Sequence, residues 1–325
     1  MRLRFALFTL LLVCCRGNAQ APDEDSQSLA PNNRPAEERF TISKDVNRVN
    51  LLFTADYPAS KELTARDISI QDDHKPPAAL LNLRTERDLP LRLGLLIDTS
   101  DSVKPSFRFE QAAATAFVRA LMQQPEDMGL IQGFAHRAVV TQAMTHEPDL
   151  LSRGIASLRP GGDTALFDAV QAACRELVHG YEDDSAARVL VVLTDGDDTS
   201  SRSQLKDAIA FAQQSEVTIY TIGTQYTWSS SPLDDSSVKA SRALQHLAED
   251  TGGRSFNASS VHRLAKTFAK IQNDLRRRYA LLYVPADFRP DGHFRRIKVQ
   301  VRKAGQKIRV HARKGYYAQL IMPNP

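Results

Sequence analysis

Two continuous apolar runs mark the middle of the chain, Leu93-Gly94-Leu95-Leu96-Ile97 and residues 189–193, and residues 217–222 read as a third buried strand. A run with no polar alternation is the pattern of a strand covered on both faces. Between these runs the period changes. Phe109, Ala113, Ala116, Phe117, Ala120 and Leu121 recur at helical spacing, as do Leu166, Phe167, Val170, Cys174, Leu177 and Val178, and later Leu264, Phe268, Ile271 and Leu275. Residues 150–158, 205–214 and 243–248 read as further helices, the last stopped by Gly252-Gly253. Residues 128–134 and 137–142 read as two strands joined by the tight link Ala135-His136, so that pair is expected to be antiparallel. Strands alternating with helices predict an α/β fold, a doubly wound and mostly parallel sheet over residues 91–278.

The flanks have a different period. Val49, Leu51 and Phe53 alternate with Asn50, Leu52 and Thr54, Asp67-Ile68-Ser69-Ile70-Gln71 alternates cleanly, and Asp72-Asp73-His74-Lys75 reads as a turn. Past residue 278, residues 279–284, 295–301 and 307–312 are strand candidates, with turns at Asp291-Gly292 and Ala304-Gly305. Residues 39–90 and 279–320 are each too short for a comfortable domain. They are expected to pair as one smaller β module, with the α/β domain inserted between its halves.

The N-terminus needs separate treatment. Met1, Arg2, Leu3 and Arg4 carry two arginines, residues 5–15 are apolar apart from Thr9, and Gly17-Asn18-Ala19 supplies small residues, so residues 1–19 read as a secretory signal peptide. Val13 and Cys14 precede the two leader cysteines, not the small residue that lipoprotein processing prefers, which favours an exported product without a membrane span after cleavage. Residues 20–38, rich in Pro, Asn, Asp, Glu and Ser, read as a linker with little to bury. Losing Arg2, Arg4 and Arg16 with the leader leaves 39 basic against 38 acidic side chains, too balanced for a nucleic-acid binder. Cys174 is then the sole cysteine, so an internal disulfide is excluded and stability must come from the core. Its place on an apolar helix face suits a buried, inert thiol.

In a doubly wound sheet, ligands bind beyond the carboxyl ends of the strands. Asp98-Thr99-Ser100-Asp101-Ser102 follows the first apolar run, and Thr194-Asp195-Gly196-Asp197-Asp198 follows the second. Arg159-Pro160-Gly161-Gly162-Asp163-Thr164 is a tight loop ahead of a helix. Parallel strands would bring all three to one edge. Oxygen donors without His or Cys suit Mg²⁺, or Mn²⁺ or Ca²⁺, over zinc.

Asp98-Thr99-Ser100-Asp101-Ser102 resembles the Asp-x-Ser-x-Ser signature of the metal-ion-dependent adhesion site (MIDAS) in von Willebrand factor type A domains. Thr164 and Thr194-Asp195-Gly196 stand where that family places its threonine and last acidic ligand. The resemblance implies that Ser100 and Ser102 hold the metal directly, Thr164 directly or through water, and Asp98 and Asp195 mainly through water. It further implies an open metal position filled by an Asp or Glu carboxylate of a protein partner. Residues 67–73, Tyr279-Ala280-Leu281-Leu282-Tyr283 and Arg313-Lys314-Gly315-Tyr316-Tyr317 resemble the flanks of a bacterial, acidobacterial-type branch of the family. Asp101 departs from the usual Gly and adds negative charge beside the site, and Asp197 and Asp198 crowd more charge nearby.

Two other function classes remain open from the sequence. A strand ending in Asp also occurs in phosphatase-like α/β hydrolases, but the second acid expected two residues on is Ser100 here, and no Gly-x-Ser-x-Gly or phosphate loop appears. A metal-free structural envelope domain is the third reading, against which five candidate ligands argue. Residues 225–238, Ser- and Asp-rich, carry the sole tryptophan, Trp228, a candidate anchor for a partner.

Overall fold

The computed structural model describes residues 48–58, 61–85, 89–179, 186–195, 198–224 and 235–318. The predicted leader and linker, and Trp228 with most of its loop, lie outside the described residues.

The apolar runs form the centre of a six-stranded sheet. It contains β4 (Leu91–Asp98), β5 (Met128–Phe134), β6 (Ala138–Thr145), β7 (Ala187–Thr194), β8 (Val217–Gly223) and β9 (Ser255–Asn257). The spatial order is β6-β5-β4-β7-β8-β9. Every pairing is parallel except β5–β6, the hairpin expected from its short link. Alternate residues of β4 and β7 face opposite layers. Leu93, Leu95, Ile97, Val189, Val191 and Leu193 belong to one core, and Leu96, Leu190 and Val192 to the other.

The first core is closed by α1 (Phe107–Leu121), α2 (Pro148–Ser157) and α6 (Val261–Leu275), the second by α3 (Leu166–Val178), α4 (Leu205–Gln214) and α5 (Asp235–Thr251). The α4 bounds agree with the predicted span, whereas α5 begins eight residues before the predicted 243. The phase of α1 needs correction. Its buried face is Phe107, Glu110, Ala114, Phe117, Val118 and Leu121. Phe109 is 54% exposed, and Ala116 and Ala120 are also exposed. A carboxyl at a core position and a run of interchangeable alanines concealed the true stripe. Cys174 is fully buried, and burial pushes its thiol up to about 12, as an inert core residue requires.

The flanks do pair with each other. β1 (Val49–Ala55) lies between β10 (Arg278–Val284) and β13 (Val310–Ala312), and β10 also pairs with β3 (Ala79–Thr85), all antiparallel. A second small sheet is built on β11 (Phe294–Lys303), which pairs with β2 (Ile68–Asp72), β12 (Gln306–Ile308) and β14 (Gly315–Tyr317). The turns fall where expected: Asp73 and His74 have φ of 48° and 69°, and Ala304 and Gly305 of 49° and 77°. The expected strand at 307–312 is two short strands, and β3, β9 and β14 had no distinct sequence expectation.

Leu51, Phe53, Ile70, Leu281, Tyr283 and Ile297 fill the core between the two small sheets. Asp72 is buried there and accepts from the hydroxyls of Tyr283 (2.8 Å) and Tyr316 (3.0 Å). Arg313 ties this module to the α/β part, donating to the Asn50 carbonyl (2.8 Å) and to Glu216 (2.8 Å).

Candidate metal centre

β4 and β7 are neighbours, yet α1 leaves β4 on one face and α4 follows β7 on the other. A crevice therefore opens beyond their carboxyl ends, the topological switch point of the sheet. Asp98 ends β4 and Thr194 ends β7.

The Asp98 carboxyl is fully buried. It accepts from the Ser100 amide (2.7 Å) and from the Thr194 hydroxyl (2.6 Å). Burial pushes its pKa up to about 6 and the neighbouring Asp195 charge adds to the rise, while those hydrogen bonds oppose it. The Ser100 and Ser102 hydroxyl oxygens stand 2.9 Å apart, with Ser100 buried and Ser102 exposed. A pair of hydroxyls at this separation, open to solvent on one side and backed by carboxylates on the other, is a compact set of hard oxygen donors.

The threonine loop is fastened to this turn by three contacts. The Gly161 amide donates to the Thr99 carbonyl (2.6 Å), the Asp101 amide to the Gly162 carbonyl (3.0 Å), and the Gly162 amide to Asp101 Oδ1 (3.2 Å). Gly162 has φ of +102°, where a side chain would be strained. Thr164 follows, buried, and the segment after β7 grips it from the far side. The Thr164 carbonyl accepts from the amides of Thr199 (2.9 Å) and Ser200 (3.0 Å). The three segments named by the sequence therefore meet at one edge.

The extra acids have other duties than expected. Asp101 is exposed and paired with Lys104 (2.8 Å), which holds its carboxyl below the usual range. Asp198 accepts from the Leu166 amide (2.8 Å) and the Ser201 hydroxyl (2.6 Å), satisfying a first-turn donor of α3. Gly196 and Asp197 lie outside the described residues.

One carboxyl was not anticipated. Glu110, on the buried face of α1, is fully buried, and Oε1 accepts from the Ser106 hydroxyl (2.8 Å). Oε2 and the Thr224 hydroxyl both lack a well-formed hydrogen bond, although Thr224 stands near enough to lower the carboxyl pKa. Burial dominates and pushes Glu110 up to about 7, with the charges of Asp98 and Asp195 adding to it. The sequence signal was an acid spaced three and four residues from Phe107 and Ala114 on one helix face.

Among the described residues no three His, Cys, Asp or Glu side chains converge to hold a metal by themselves. A cation at this edge must use the serine and threonine oxygens. Hydroxyls with carboxyls behind them fit a hard divalent ion.

An open, doubly wound α/β sheet with a hydroxyl and carboxylate cluster across its switch point puts the candidate site on loops at the sheet edge. The von Willebrand factor type A domain profile matches residues 93–270, more than half of the sequence, and the chain belongs to that family. No curated protein matches. Among solved structures, a von Willebrand factor type A protein from Catenulispora acidiphila aligns at 12% identity over 84% of this chain and 74% of its own, with a TM-score of 0.48. Proximal thread matrix protein 1 from the mussel byssus, with a zinc-occupied MIDAS motif, aligns at 15% identity over 61% of this chain and 48% of its own, with a TM-score of 0.49. The PilB minor pilin from Streptococcus sanguinis aligns at 14% identity, TM-score 0.45, over 63% of this chain, which spans 63% of that pilin's length.

Proposed function

We propose that the chain is an exported, non-enzymatic protein-binding module, for adhesion or scaffolding, that uses a divalent cation at the β4–β7 edge. Asp98, Ser100, Ser102, Thr164 and Asp195 form the cation site, taking Mg²⁺, or Mn²⁺ or Ca²⁺. Ser100 and Ser102 present their hydroxyl oxygens directly, Thr164 directly or through water, and Asp98 and Asp195 receive the hydrogen bonds of coordinated water. The bound ion supplies a positive centre to which an Asp or Glu carboxylate of a protein partner adds. Asp98 orients the serine turn through the Ser100 amide, and Thr194 holds the other oxygen of that carboxylate. The reading rests on the pair of serine hydroxyls 2.9 Å apart beside a buried carboxyl raised to about 6. Neutral hydroxyls as direct ligands leave the ion with net positive charge, which favours an anionic partner. The residues 1–19 leader reading supports export, and no helix among the described residues is long and apolar enough to cross a membrane.

Calorimetry with Mg²⁺ and Mn²⁺ tests the site. The wild type should titrate with one ion per chain, and Ser100→Ala should abolish the heat while retaining its thermal transition. Undiminished heat from Ser100→Ala would overturn the assignment. Pull-down from envelope extracts with and without chelator then reads whether partner capture needs the ion.

A further inference from the structure

A groove runs between α4 and the β11–β2–β14 sheet. Period two along β11 puts Phe294, Arg296 and Lys298 on the groove face, and turns Ile297, Val299 and Val301 to the core of the small module. Tyr317 of β14 joins Phe294 edge-on, with ring centroids 5.2 Å apart. Opposite them, Lys206, Ile209 and Gln213 recur at helical spacing on one face of α4. The groove they line with Lys314 and His74 encloses about 670 Å³, within the range of ligand-sized clefts.

Its chemistry is lopsided. The floor is aromatic and aliphatic, through Phe294, Tyr317 and Ile209. The rim is cationic. Lys314 is paired with Asp250 at 2.5 Å, the one acid lining the groove, whereas the side chains of Lys206, Arg296 and Lys298 form no ion pair among the described residues. These three cations stand on two elements either side of the apolar floor. Cations on both the helix and the strand side of an apolar floor suit a ligand that carries more than one negative charge on an apolar body.

We propose that this groove docks an acidic segment of a partner protein, with Asp or Glu side chains toward Lys206, Arg296 and Lys298 and an apolar side chain on Phe294 and Tyr317. A peptide suits the groove better than a nucleic acid, because its floor is apolar, it holds the acid Asp250 among its cations, and the formal net charge of the chain is only +4. The groove and the proposed cation site use different residues, so a partner that engaged both would gain avidity without new chemistry at the metal.

The probe is a short fluorescein-labelled peptide in which glutamates alternate with leucine and phenylalanine, titrated by anisotropy against the full chain. Binding is expected, insensitive to chelator and to Ser100→Ala. It should weaken at least about tenfold in Arg296→Glu and in Lys298→Glu, whose side chains are exposed. Thermal melts establish that these variants are folded, and Lys206→Glu is a second arm on a different element. The lysine-for-glutamate version of the peptide should not bind. Equal affinity of wild type and all three charge reversals would overturn the proposal. So would loss of binding with chelator, which would place the acid at the proposed metal, or equal competition by oligothymidine, which would mark a general polyanion surface.

Discussion

Glu110→Gln should make the metal-free protein more stable at alkaline pH. The carboxyl is fully buried, and its pKa rises from the usual 4.5 to about 7 because burial and the charges of Asp98 and Asp195 disfavour the ionised form. A pKa raised on folding means that the folded chain holds a proton which the unfolded chain has released. The stability linked to this group is therefore complete below about pH 4.5 and is lost as pH rises through about 7. The gap corresponds to about 3 kcal/mol once the group is ionised in both states. Glutamine has nearly the same size and can still accept from Ser106, but it never ionises. Urea denaturation in the presence of chelator should show the wild type losing stability between about pH 5 and about pH 8, with a flatter curve for the variant. At about pH 8 the variant should lead by about 2–3 kcal/mol, and near pH 4.5 the two should be close. Parallel curves over the whole range would show that Glu110 is not titrating in a destabilising environment, and the electrostatic account of the β4–β7 edge would fail with it. Saturating Mg²⁺ should narrow the difference, since a nearby cation offsets carboxylate repulsion.

Arg313→Ala removes a buried guanidinium that bonds the Asn50 carbonyl, Gln213 carbonyl and Glu216, and should cost about 3 kcal/mol by chemical denaturation. An unchanged midpoint would show that the β module is held to the α/β part by other contacts. Asp101→Asn should change the Mg²⁺ affinity by less than about threefold in calorimetry, because Lys104 already offsets the charge. A larger gain would mean that the Asp101 charge reaches the site after all. Gly253→Ala drives a Cβ into the Ile219 backbone carbonyl and should lower the urea midpoint sharply or yield insoluble protein, and a wild-type midpoint would show that the α5–β9 turn can shift.

The central strands were legible because short continuous apolar runs set between stretches of helical spacing mark β4 and β7, while β8, whose two threonines interrupt the run, stood out by its β-branched and aromatic residues. The turns at Asp73-His74 and Ala304-Gly305 were legible for a separate reason, since their residue types tolerate positive φ. What stayed hidden lacks a periodic signature. β9 and β14 span three residues each, too few to establish an alternation, and they are strands because β8 and β11 offer them open edges. The phase of α1 was hidden because Glu110 breaks the apolar stripe at a position the core occupies. The meeting of the Asp98, Thr164 and Asp195 segments at one edge followed from parallel strands, but the contacts that fix it did not. They run through Asp101, Thr199 and the backbone of Gly161 and Gly162, where nothing in the residue order distinguishes a loop clamp from ordinary polar loop composition.

The same misfit on α1 ties the stability of the core to the proposed cation site. The Asp195 charge disfavours ionisation of both Asp98 and Glu110, Asp98 adds to the effect on Glu110, and those two carboxyls are fully buried. A core shaped for packing alone would place a leucine at position 110, since an isolated buried carboxyl is unfavourable. Hydrogen bonds to Thr194, Ser100 and Ser106 relieve part of that cost but leave both pKa values high. The remaining imbalance is negative, is localised behind Ser100 and Ser102, and is open to solvent on the Ser102 side. If the hydroxyl pair takes a divalent cation, as proposed, this negative imbalance would favour it more than either serine would alone, with the buried carboxyls one layer back. In the proposed site, an ion held mostly by neutral oxygens and steadied by charge one layer back would keep a net positive field, and an anionic partner group is proposed for it on that ground.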